Sequence, residues 1–83
     1  MDRQLFTEEE AKALVGRTVR TTIAFSGVPA GTEATVIQAD RSRDGFTVAL
    51  QWHLPADPAR GFSGKPLVDW FDKSEYDRWI EEV

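Results

Sequence analysis

The sequence predicts a mainly β domain, a short-stranded barrel with one helix at each end. Both ends open a helix with a capping-box pattern, Thr7-Glu8-Glu9-Glu10 and Asp72-Lys73-Ser74-Glu75. Between them apolar residues recur with the period of two that belongs to half-buried strands. Clusters of glycine, proline and Asp-Gly punctuate these runs where a chain must turn.

The first helix is expected over residues 7–15. Thr7 can accept from the backbone of Glu10, the three glutamates favour the positive end of the helix dipole, and Ala11, Leu14 and Val15 form one apolar stripe. Gly16 follows as the residue able to leave the helix in a left-handed conformation. A helix this short must pack on something to persist. From residue 17 the period changes. Val19, Thr21, Ile23 and Phe25 alternate with Thr18, Arg20, Thr22 and Ala24, so a strand is expected over 17–25. Ser26 to Gly31 breaks it. A second strand over 32–39 has Ala34, Val36 and Gln38 on one face and Thr35, Ile37 and Ala39 on the other. Asp40 to Gly45 reads as a hairpin loop ending in Asp-Gly.

A third strand over 46–52 sets Phe46, Val48, Leu50 and Trp52 against small or polar Thr47, Ala49 and Gln51 on a solvent face. His53 to Pro66 contains three of the four prolines and two of the six glycines and reads as a long irregular loop. A fourth strand over 67–71 places Leu67, Asp69 and Phe71 on one side and Val68 and Trp70 on the other. The last helix, 73–82, would bury Tyr76, Trp79, Ile80 and Val83 and expose an acidic face.

Composition narrows the function classes. The 83 residues, 41% hydrophobic and 29% charged, suit one globular domain, 1–83. There is no cysteine, which removes disulfides and thiolate chemistry and fits a reducing cytoplasm. The start of the chain lacks an apolar stretch, so no signal peptide is expected, and no apolar run approaches the ~20 residues of a membrane span. Net charge is −4, the wrong sign for a non-specific nucleic-acid binder. The basic residues Arg17, Arg20, Arg41, Arg43, Arg60 and Lys65 nevertheless gather in the middle of the chain, and the acids at its ends.

Gly16-Arg17-Thr18-Val19-Arg20, Val28-Pro29-Ala30-Gly31-Thr32, Val36-Ile37 and Phe46-Thr47-Val48-Ala49-Leu50-Gln51-Trp52 after Asp44-Gly45 together resemble the small SH3-like barrels, KOW-type modules included. The likeness covers roughly residues 16–71 and implies a small β-barrel. It departs at Ala34, where KOW modules usually have glycine, and in its acidic balance. In style the chain also resembles the small accessory proteins of bacterial genomes and mobile gene cassettes.

No pattern marks a catalytic site. His53 is the one histidine, and no nucleophile motif accompanies it. Asp40, Asp44 and Asp57 lack calcium-loop spacing, and Gly61-Phe62-Ser63-Gly64-Lys65-Pro66 lacks the spacing and the Ser or Thr of a phosphate loop. No metal or cofactor is expected. The aromatics carry more: five Phe, three Trp and one Tyr exceed what so small a core needs. Trp70 and Phe71 are adjacent on a strand and point to opposite faces. Phe62 sits in a glycine-rich loop beside Arg60 and Lys65.

A non-catalytic binding or adaptor module is the leading reading. Its candidate site is Trp52, His53, Arg60, Phe62, Lys65 and Trp70, and its partner a protein segment or a second copy of the chain in a homodimer. The alternative is a nucleic-acid-binding barrel using the central Arg/Lys cluster. An enzyme is the third reading.

Overall fold

The computed structural model describes residues 4–24, 27–54 and 67–83. Helix α1 (Glu8–Leu14) leads into strands β1 (Thr18–Thr21), β2 (Glu33–Ser42), β3 (Gly45–Trp52) and β4 (Leu67–Phe71), then helix α2 (Lys73–Trp79) and strand β5 (Ile80–Glu82). The strands make one antiparallel sheet in the order β4-β3-β2-β1-β5. Its two edges, β4 and β5, do not pair with each other, so the sheet is open.

Both capping boxes form as their residues predict. The Thr7 hydroxyl accepts from the Glu10 N–H (3.1 Å) while Glu10 Oε1 accepts from the Thr7 N–H (2.9 Å). Asp72 and Glu75 do the same at α2, at 2.8 and 3.0 Å. Lys73 Nζ then reaches Glu10 Oε2 at 2.7 Å and ties the two helix starts together. Gly16 has the expected positive φ of 92°, but its N–H goes to the Val36 carbonyl at 2.7 Å instead of back to the helix. That bond docks the exit of α1 onto β2.

The strands differ from expectation in extent and parity. β1 stops at Thr21, whose buried hydroxyl donates to the Ile23 carbonyl at 2.8 Å and turns the chain out of the ladder. The expected strand ended at Phe25, which lies outside the described residues. β2 runs on through Ser42, so the hairpin turn is the two residues Arg43-Asp44 and Asp40 is a strand residue, not a loop residue. The register between β2 and β3 shifts between Val36 and Gln38, leaving Ile37 as an extra, bulged residue. Beyond it the faces swap. Ala39 joins Ala34 and Val36 on the inner side opposite Val48, while Gln38 and Asp40 turn outward.

The larger correction is at the end of the chain. The apolar spacing predicts helix to residue 82, yet α2 ends at Trp79 and Ile80–Glu82 is strand β5 on β1, pairing Thr21 with Ile80, Arg20 with Glu81 and Val19 with Glu82. Three tertiary contacts decide this. The Trp79 carbonyl accepts from the Thr22 N–H at 2.7 Å and from its hydroxyl at 3.1 Å, and Arg20 and Arg17 hold Glu81 and Glu82 at 2.8 and 3.3 Å. Val83, predicted on the buried stripe, is 64% exposed.

The core lies between the inner face of the sheet and the two helices. Phe6, Ala11, Val19, Val28, Ala34, Val36, Val48, Leu50, Trp52, Phe71, Tyr76 and Ile80 form it. Residues 4–6 are part of the fold: Phe6 bridges Phe46 by reciprocal 2.9 Å bonds, and the Gln4 N–H reaches Ser74 Oγ at 2.8 Å. The outer face of β2, β3 and β4 carries no helix among the described residues.

Candidate functional site

The outer face is assembled row by row from the register. Opposed residues on neighbouring antiparallel strands share a face and stand close together. One row is Gln38, Ala49 and Trp70, and the next toward the far end of β3 is Thr35, Gln51 and Val68. Asp40 and Thr47 are opposed on the other side of the first row.

Trp70 is 57% exposed, unusual for an indole and the largest apolar group on this face. It does not hang loose. Its indole N–H donates to Asp40 Oδ2, and the Gln38 side-chain amide donates to the other oxygen of the same carboxylate. The donor is on β4 and the acceptor on β2, so the indole spans the strand between them. The residue beneath is Ala49, and it is only 1% exposed although it belongs to the solvent face. A small residue on β3 thus makes room for the ring, and the ring covers it. The result is a half-exposed indole held at its edge by Asp40.

The remaining candidates are placed differently. Trp52 is 3% exposed; its ring packs edge-on against Phe71 at 6.2 Å between centroids, and its indole N–H donates to Asp69 at 2.8 Å. It belongs to the core, on the face of the sheet opposite Trp70. His53 is on the outer side at the end of β3. Its Nε2 meets Thr35 Oγ1 at 2.7 Å, and its N–H donates to the Glu33 carbonyl at 2.8 Å. Four residues of strand separate the His53 backbone from the row of Trp70, on the order of 13 Å, and its ring reaches Thr35 in the intervening row. Arg60, Phe62 and Lys65 lie outside the described residues.

Gln38, Ala49 and Asp40 are the parts of this site that sequence reasoning does not find. The available signal was alternation continuing past residue 39 into Gln38-x-Asp40-x-Ser42, together with the short Arg43-Asp44 turn before Gly45. The bulge at Ile37 left no such trace, and without it Asp40 would face the core.

Three of the four described residues of the basic cluster have partners within the fold. Arg17 and Arg20 are paired with Glu82 and Glu81, and the Arg41 guanidinium lies over the Phe46 ring at 5.6 Å. On the helix side, Lys12 pairs with Glu8 at 3.0 Å and holds that carboxyl below its usual range. Among the described residues no group of three or more His, Cys, Asp or Glu side chains could hold a metal ion. No described helix is long and apolar enough to cross a membrane.

Comparison of the chain with protein-family models, with curated proteins and with solved structures finds no match.

Proposed function

We propose that the protein is a small binding module that takes a segment of another protein across the outer face of β2, β3 and β4, with Trp70 as its anchor. One observation carries this reading: a tryptophan more than half exposed, yet fastened by Asp40 so that its free face keeps one orientation. A fixed aromatic side chain loses little conformational freedom on binding, which is why such residues dominate interface energetics.

The architecture is read as an SH3-like, partly open barrel. Supporting this are the four-strand meander, the bulge midway along the ten-residue β2, which lets one strand serve both halves of a curled sheet, and the helical turn that returns the chain to pair with β1. The nucleic-acid reading draws less support, because acids of β5 neutralise Arg17 and Arg20.

The test is selection from a displayed peptide library against the wild type and Trp70→Ala, with circular dichroism confirming an intact fold. The expected result is a recurrent set of peptides whose affinity falls about tenfold or more in the variant, the usual loss at a tryptophan anchor. If Trp70→Ala keeps every selected peptide at unchanged affinity, this face is not the binding surface.

A further inference from the structure

We propose that the segment bound by this face is basic: an arginine or lysine side chain stacks on the open face of Trp70 beside the Asp40 carboxylate, and a second cation reaches Glu33. This rests on the binding reading above and names the chemistry of the partner. The argument is one of charge and geometry on a single face. The indole is the strongest side-chain partner for a cation placed over its ring. Asp40 lies at the edge of that ring and accepts one hydrogen bond on each oxygen, from Gln38 and Trp70. A carboxylate has about four acceptor positions, so capacity remains for a guanidinium or ammonium. No lysine, arginine or histidine among the described residues forms an ion pair with Asp40.

The other charges on this face agree. Alternation along β1 and β2 turns Arg20 and Glu33 outward, between inward Val19, Thr21 and Ala34. Arg20 is already held by Glu81 on the adjoining strand at 2.8 Å. Glu33 uses its backbone carbonyl for His53 and is exposed. Asp40 and Glu33 are therefore the two carboxylates of this face that form no ion pair among the described residues, although Arg20, held by Glu81, stands opposite Glu33 on β1. From Trp70 to Glu33 is two strand spacings across and four residues along, roughly 16 Å. An extended segment of about five residues spans that distance. A second copy of this chain would bring the same acidic face, and a nucleic acid would bring phosphates toward Asp40 and Glu33, so charge disfavours both.

The experiment is a titration of the isotopically labelled full chain, read at the indole N–H signal of Trp70, which is assigned by its absence in Trp70→Phe. The probes are a short synthetic peptide alternating Arg and Ser, the same peptide with neutral citrulline for Arg, one with Glu for Arg, and a single-stranded RNA oligomer. The expected result is that the Arg peptide alone moves the Trp70 signal, with affinity falling as salt is added. Glu33→Gln, which leaves the Trp70–Asp40 bond untouched, should weaken it by about two- to fivefold. Trp70→Ala, followed at the backbone amide signals that the Arg peptide moves in the wild type, should weaken it by on the order of tenfold. Equal binding of the citrulline peptide, or no response to the Arg peptide while library-selected peptides still depend on Trp70, would overturn the basic partner and leave the binding face standing. A Trp70 response to RNA alone would assign the face to nucleic acid. If no library peptide depends on Trp70, the binding reading itself fails.

Discussion

At the scale of single residues, two positions show how little free space the fold leaves. Gly45 begins β3, and a methyl group there would lie 2.7 Å from Leu5 Cβ and 2.9 Å from the Phe6 carbonyl oxygen. The residue is glycine because the 4–6 segment crosses it, not only because a hairpin ends there. Gly45→Ala should push that segment off β3 and cost about 1–3 kcal/mol, the usual penalty of overpacking, measured by urea unfolding; an unchanged midpoint would mean that residues 4–6 contribute nothing. Tyr76 is the converse case. Its ring is buried edge-on against Phe6 at 5.6 Å, and its hydroxyl has no hydrogen-bond partner among the described residues. Burial pushes its pKa above the ordinary 10.0. Tyr76→Phe removes an unpaired polar group and should stabilise the protein by about 1 kcal/mol; a loss of stability would reveal a partner for the hydroxyl. Because the folded pKa is the higher one, this tyrosine's contribution is intact below about pH 10 and is lost as pH rises through its folded value. The phenylalanine variant should therefore show a shallower alkaline decline.

Elements here are held by their ends. Both helices are seven residues long, too short to be stable alone, so caps and docking decide whether they form. Thr7→Ala and Asp72→Ala should each cost about 1 kcal/mol, with the larger loss at Asp72, which is 1% exposed. Equal losses would show that burial adds nothing to that cap. β5 depends on β1 in the same way. A double-mutant cycle on Arg20 and Glu81, whose side chains are 43% and 50% exposed, should return a coupling of about 0.2–1 kcal/mol. A value near zero would leave the backbone ladder, the Thr22–Trp79 bonds, the Arg17–Glu82 pair and the burial of Ile80 as what holds β5.

For the molecule as a whole, charge is sorted by element. Glu10 caps α1 and also receives Lys73 from α2, and hydrogen bonding to Lys73 is the main cause that lowers its pKa below 4.5. Its contribution to stability is present above the unfolded carboxylate value and is lost as pH falls through the lowered one. Lys73 shifts upward for the same reason, from 10.5, so its share is lost only in alkali. Acid unfolding should therefore begin below about pH 4.5, and Glu10→Gln should flatten it. An acid limb unchanged by Glu10→Gln would show that this helix-to-helix bridge does not govern it. Arg17 and Arg20 are paired with the acids of β5, while the outer face retains Asp40 and Glu33, the division on which the expected salt dependence of binding rests.

Local features of the fold follow from neighbouring residues. The two capping boxes are local hydrogen-bond patterns. The strand character of β1 to β4 is a local alternation, and so is the split of Phe71 inward and Trp70 outward. Tertiary structure decided what depends on residues far apart in the chain. Ile80 to Glu82 has helical apolar spacing, but β1 offers it a ladder and Arg20, and the residues flanking β1 add Arg17 and the bonds of Thr22 to the Trp79 carbonyl, so it is a strand. The bulge at Ile37 is a choice of register, invisible to a period-two pattern, and a one-residue shift moves every later side chain to the other face. That shift brings Asp40 outward to meet Trp70, thirty positions later in the chain. The candidate site was half legible for this reason: alternation within one strand exposes the tryptophan, but only pairing between strands supplies the carboxylate that holds it.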